Sequence, residues 1–262
     1  MKPKAEHTVT GHRMLLTALL CIMALTSPYA QTPGADTGQG TLLIRFTNTA
    51  NGKPVALNDS MYSNFFGEQY SIRKLKYYIS HFTLTTGNGK TKSWDDCHLV
   101  DENAGETSFE ITADAGRYEK IGFLLGVDSA KNCSGAQDGA LDPMNGMFWT
   151  WNSGYIMFKL EGYSTASTAD LQRIEHHIGG YKGADNVATF INLQIKQPQT
   201  LFINPGETTE LVLEMNLDKY WHSNTDIRIA ELPMCMVTGE PALKVARNFS
   251  GLFSVKEIRK AN

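Results

Sequence analysis

Between Asp142 and Ser164 the chain reads DPMNGMFWTWNSGYIMFKLEGYS, and this stretch limits the fold more than any other. Pro143, Asn145 and Gly146 supply the chemistry of a sharp turn. From Met147 the residues alternate as in an extended strand. Met147, Trp149 and Trp151 share one face, and Phe148, Thr150 and Asn152 share the other. Ser153-Gly154 interrupts the run, and Tyr155 to Leu160 reads as a second, mostly apolar strand. Two of the chain's four tryptophans fall within these 23 residues, with Met144, Met147 and Met157. Two readings stand. The aromatics anchor a β-sandwich core, or they form an oxidisable, soft-ligand surface suited to copper or electron transfer.

The rest of the chain repeats the strand signal at short spacing. Leu42–Phe46 ends at an Asn51-Gly52 turn, and Tyr70–Thr86 is rich in β-branched and aromatic residues. A Gly87-Asn88-Gly89 hairpin turn leads to Thr91–Val100. Phe109–Thr112, Tyr118–Leu125, Ile174–Ile178, Ala188–Ile195 and Thr208–Leu217 complete the set. Short helical pieces are expected at Ala166–Gln172, Leu217–Trp221 and Pro241–Phe249. The segment 126–147 is long for a connection in a compact domain and reads as an ordered loop that shapes a site. The predicted class is all-β: an antiparallel β-sandwich or barrel with a few short helices and a long ordered loop.

The N-terminus has the pattern of an export signal. Lys2, Lys4 and Arg13 precede Met14–Thr26, an apolar run of 13 residues, short for a bilayer span and suited to a signal peptide cleaved near Ala30. The expected division is a signal peptide over 1–30, a flexible tether over 31–40 and a single β-domain over 41–262. Export implies a periplasmic or secreted protein. Removing residues 1–30 takes away a net charge of +2, so the formal charge of −3 becomes −5 over the remaining 232 residues. A mildly acidic chain argues against nucleic acid as a partner, and no second run is apolar enough for a membrane span.

Five histidines remain after the signal: His81, His98, His176, His177 and His222. None falls in a zinc-type spacing, so a metal site would have to be assembled across strands. His176 and His177 are adjacent and point to opposite faces of a strand, so only one serves a given site. Three cysteines remain, Cys97, Cys133 and Cys235, and Cys133–Cys235 is the expected disulfide. Met234-Cys235-Met236 is either a soft-donor triplet for Cu(I) or buried core. The acidic pairs Asp95-Asp96 and Asp101-Glu102 read as turn and surface charge. No nucleophile elbow, P-loop or dinucleotide fingerprint is present, and no enzymatic activity is expected.

The run Gly126–Gly162, with His177-Ile178-Gly179-Gly180 and Leu75–Leu84, resembles the MbnP-like family of periplasmic copper-binding proteins, named after a protein of methanobactin operons. The resemblance covers most of residues 41–256. It implies a small β-rich protein for copper capture or handling, with copper as its cofactor. It also implies a tryptophan, Trp149 or Trp151, oxidised to kynurenine by a di-haem cytochrome c peroxidase-like partner. On this reading the metal-site candidates are His177, His176, His81, Trp149 and Trp151, with His177 favoured by its place in the His-Ile-Gly-Gly block. His81 stands where the resemblance expects asparagine, which leaves it either an accessory ligand or a polar filler. The rival reading is a β-sandwich module that binds carbohydrate or protein through exposed aromatics. Convergent histidine and tryptophan would favour metal, and exposed coplanar aromatics would favour sugar.

Overall fold

The computed structural model describes residues 38–261 apart from 136 and 151–153, and the backbone alone of Thr150. The expected signal peptide, residues 31–37 of the expected tether, and Trp151 lie outside the described residues.

The strands are β1 Gln39–Ala50, β2 Lys53–Pro54, β3 Met61–Ser63, β4 Gln69–Thr86, β5 Thr91–Asp101, β6 Ser108–Asp114, β7 Gly116–Leu125, β8 Phe148–Thr150, β9 Gly154–Tyr163, β10 Arg173–Gly179, β11 Thr189–Gln194, β12 Leu201–Ile203, β13 Thr208–Asn216, β14 Met234–Cys235 and β15 Phe253–Lys260. Three short helices join them: α1 Ser129–Cys133, α2 Asp218–Trp221 and α3 Glu240–Ala246. The smaller sheet runs β15-β13-β1-β2, with β6 also on β1. The larger runs β11-β7-β4-β9-β10-β14, with β3 and β5 on β4, β12 on β7 and β8 on β9.

The expected all-β class holds, with one change in strand direction. The sheets are mixed, because β1 pairs parallel with β13 and β10 parallel with β14. Neither pair is joined by a hairpin, so no tight turn imposes the antiparallel direction. Helix α2 and helix α3 stand where helical pieces are expected, whereas Ala166–Gln172 reduces to a single 3-10 turn at Asp170–Gln172. Gln39 and Gly40, assigned to the tether from sequence, already belong to β1.

Aromatic side chains join the two sheets. Phe46 of β1 and Phe253 of β15 meet Phe123 of β7 edge-on, with ring centroids 6.1 Å and 5.1 Å apart. Tyr77 of β4 meets Phe253 of β15 edge-on at 5.8 Å and, within the larger sheet, stacks on Phe158 of β9 at 5.6 Å. Pairs in these geometries add about 0.5–1.5 kcal/mol each beyond the area they bury.

The described residues of the segment 126–147, all but 136, are ordered, as expected, and pack on the outer face of the larger sheet. The hydroxyls of Tyr78 and Tyr155 donate to the carbonyls of Ala140 (3.0 Å) and Leu141 (2.7 Å). Ser80 Oγ donates to Gly126 O at 2.8 Å, and the Tyr155 amide donates to Asn132 Oδ1 at 2.9 Å. With core on one side and this loop on the other, β9 is buried from Gly154 through Gly162. That double burial explains why Tyr155–Leu160 reads as nearly continuous apolar sequence rather than an alternating one.

Candidate functional site

Strand β10 lies between β9 and β14, and its register decides what its two histidines do. His176 stands opposite Leu160, which stands opposite Leu75; His177 stands opposite Lys159, which stands opposite Lys76. The expected division of faces is therefore present.

His176 turns into the core and is fully buried. Its Nε2 donates to Leu232 O at 2.7 Å, because a carbonyl only accepts, and its Nδ1 accepts from the Tyr220 hydroxyl at 2.7 Å. Burial disfavours the imidazolium and pushes its pKa down to about 4. Both nitrogens are occupied, so His176, a sequence candidate for the metal site, serves the core as a hydrogen-bonded filler.

His177 turns to the outer face. Its Nε2 lies 3.0 Å from Glu161 Oε1. Glu161 also binds Arg73 at 2.7 Å and Lys74 at 3.2 Å. Its carboxyl is held down to about 2, first by the hydrogen bond from His177 and then by Lys74, against the opposing effect of burial. An ionised carboxylate only accepts, so Nε2 of His177 carries the proton.

Beside this pair, Lys159 is 7% exposed, and its ammonium donates to Gly146 O. Burial pulls its pKa down, while Glu161 pulls the other way. Lys76 donates to Asn145 O at 3.3 Å and pairs with Asp101 Oδ2 at 2.7 Å. Asp101 is thus a buried ion-pair partner rather than surface charge. Lys76, Lys159 and His177 form a row across three strands. The two lysines hold the turn that delivers the chain into β8.

Trp149, half-buried on β8, packs against the strand that carries His177. A Cβ built on Gly179 would lie 2.8 Å from Trp149 Cζ3 and 3.0 Å from Tyr155 O. At Gly180, φ is +133° and a Cβ would lie 2.3 Å from Asp185 O. The His-Ile-Gly-Gly block thus has a physical reading: one glycine admits the indole, the next admits a backbone turn. Trp149 thus packs at Gly179, two residues beyond His177 on β10, with a register shift between Ile178 and Gly179 that interrupts the alternation of faces.

His81 is elsewhere. It lies five residues beyond Lys76 on β4, about 16 Å along the strand at about 3.3 Å per residue, and two strands across from His177. It occupies a bulge between Ser80 and Phe82 with φ +49°, a conformation that also suits asparagine. Its Nδ1 and Nε2 meet Asp95 (3.2 Å) and Asp128 (3.0 Å). As a ligand at the His177 site it is too distant.

The expected Cys133–Cys235 disulfide is not formed; Cys97, Cys133 and Cys235 are all free. Helix α1, which ends at Cys133, packs at Tyr155 of β9, whereas Cys235 aligns with His176 and hence Leu160. Five residues of strand, about 16 Å, exceed the roughly 4.4–6.8 Å Cα separation that a disulfide spans. Cys235 is buried and Met236 exposed, so the Met-Cys-Met run does not form a shared donor face.

Glu161, Lys159 and Lys76 were not singled out from sequence. Their one signal is charge at alternate positions of otherwise apolar strands. Among the described residues, no three His, Cys, Asp or Glu side chains converge on a position that would hold a metal ion.

Mixed curled sheets with few helices, and a loop packed on one sheet face, define a mostly-β protein of the half-barrel or sandwich type. The MbnP family model matches residues 39–237, and the chain belongs to that family. The solved structure of MbnP from Methylosinus trichosporium has the same fold, at a TM-score of 0.51 and 14% identity, with 86% of this chain and 99% of that one covered. No curated protein matches the sequence.

Proposed function

We propose that the protein is an exported copper-binding member of the MbnP family that captures or handles copper and is not itself an enzyme. The observation that carries this reading is the match to the MbnP family over residues 39–237, and it is supported by the packing of Trp149 at Gly179 and by the Glu161 carboxylate against His177 on the same strand. Metal-ligating histidines commonly donate their second ring N–H to a carboxylate, a backbone carbonyl or water. Among the described residues no cluster of His, Cys, Asp or Glu side chains forms a metal site, and His177 is the one candidate histidine on this face that could contribute a ligand. His176 and His81 are engaged elsewhere, so the further donors would come from the aromatic stretch around Trp149 and Trp151. A di-haem cytochrome c peroxidase-like partner would supply the oxidant that converts one of these tryptophans to kynurenine. Bound copper would contribute affinity for imidazole nitrogen and a redox-active centre.

Export is supported by the charged and apolar N-terminal pattern. Among the described residues, no helix is long and apolar enough to cross a membrane. Against the carbohydrate reading, among the described aromatics of the central stretch Tyr155 and Phe158 are fully buried and Phe148 and Trp149 are packed against the core, which leaves Tyr163 exposed. Copper titration of the protein, as expressed and after treatment with the partner enzyme, tests the proposal. Stoichiometric binding that is lost in His177→Ala supports it. Absence of binding in both preparations contradicts it.

A further inference from the structure

The sheet face that carries His177 opens to solvent at its other end. Met61, Ser71, Tyr163 and Arg173 form one cross-strand row over β3, β4, β9 and β10. The row spans three strand spacings, about 14 Å, and stands four residues from His177 along β10, about 13 Å. Met61 and Tyr163 are exposed, and Leu171, in the turn that leads to Arg173, is 81% exposed.

A single exposed leucine is ordinary, but this one sits against its own backbone preference. Leu171 has φ +58° and Gln172 φ +55°, two consecutive residues in the left-handed region that a bulky side chain rarely adopts. Two hydroxyls hold the turn in place: Ser164 Oγ donates to Gln69 O and Ser167 Oγ to Arg173 O, each at 2.6 Å. The charges beside it are layered. Arg73 and Lys74 pair with Glu161, and Arg173 pairs with Glu175. The three cations keep 41, 40 and 38% of their side chains exposed, whereas the two carboxylates keep 6 and 15%. Negative ends are sunk and positive ends face out, so the patch is electropositive on a chain whose net charge is −3.

We propose that this row, with Leu171 at its end, is a docking surface for a protein partner that presents carboxylates around an apolar contact. Tyrosine, methionine and arginine are the residue types enriched at protein interfaces, and exposed cations complement an acidic surface. An anionic bilayer is the poorer match, because cations tied to buried carboxylates are not free to extend past Leu171 and Met61 to a headgroup layer. A second copy would set the same cations against each other across a two-fold axis. Copper plays no part here, since no residue of the row is a candidate ligand.

The test places a photo-crosslinking benzoylphenylalanine at position 163 of the full-length protein in its native cells, with the same group at the exposed position 202 of β12 as control. The expected result is one discrete protein adduct, absent from the control, whose cross-linked peptide is rich in Asp and Glu. In extract, raising the salt from about 0.1 M to about 0.5 M should reduce the adduct, because exposed ion pairs are screened. Leu171→Gly should reduce it about tenfold while the thermal midpoint holds or rises, because glycine adopts this φ without strain. Lys74→Gln, which leaves the turn intact, should reduce it about threefold and carries the test if Leu171→Gly does not fold. No adduct above the control, an adduct to lipid, or an adduct between two copies of this chain overturns the proposal. So does an adduct that persists undiminished in the folded variants and in high salt.

Discussion

Trp149 occupies the space that a side chain at position 179 would need: its Cζ3 lies 2.8 Å from where a Gly179 Cβ would stand. The indole and the histidine strand are therefore fitted to each other through the absence of a methyl group. Gly179→Ala forces the ring or the strand to shift. It is expected to cost about 1–3 kcal/mol and to change the tryptophan emission of the folded protein. Urea unfolding and fluorescence spectra check this, and a wild-type spectrum with unchanged stability would contradict the packing.

The two adjacent histidines predict opposite phenotypes. His176→Leu leaves the Tyr220 hydroxyl and the Leu232 carbonyl without partners in the core. A loss of about 1–3 kcal/mol of stability is expected, with copper affinity within twofold of wild type. His177→Ala is expected to abolish copper binding and to remain folded. Thermal melts and copper titrations of both variants separate the roles.

Acid is expected to destabilise the protein in two overlapping windows. The folded-state pKa of His176, about 4, lies below its ordinary 6.5, so the unfolded chain takes up the proton first. Stability therefore falls as pH drops from about 6.5 to about 4. The Glu161 pKa, about 2, lies below its ordinary 4.5, so its contribution is present above 4.5 and is lost as pH falls from there toward 2. Urea midpoints measured at pH 7, 5.5 and 4 should decline steadily, and His176→Leu should flatten the upper window.

Thiol chemistry should distinguish the cysteines. Cys133 is exposed at the end of α1, whereas burial pushes the Cys97 thiol up to about 12 and the Cys235 thiol up to about 11. Brief alkylation of the native protein at pH 8 should label Cys133 and spare Cys97 and Cys235. A non-reducing peptide map that links Cys133 to Cys235 would contradict the structure.

The legible part of this chain is what strand composition and a period of two can carry. β-branched and aromatic enrichment marked β4, the period of two set His176 and His177 on opposite faces, and an unbroken apolar run marked the doubly buried β9. These signals failed where strands are short or charged. β2, β3, β12 and β14 have two or three residues each, and β15 reads FSVKEIRK, an edge strand with four charges. The centre of the site was half legible. His177 and Trp149 could be named from a residue pattern, but Glu161 and Lys159 reach His177 through cross-strand register, which depends on the assembled sheet. His81 was a candidate for the same reason in reverse, since no local pattern reveals a separation along β4.

Intact mass and copper content of the protein isolated from its native source test the central claim most directly. One stoichiometric copper, with the small mass gain of a single tryptophan-to-kynurenine conversion mapped to Trp149 or Trp151, is the predicted result. An unmodified mass with no copper, before and after loading with Cu(I), would contradict it and leave Trp149 and His177 as parts of a packed rim.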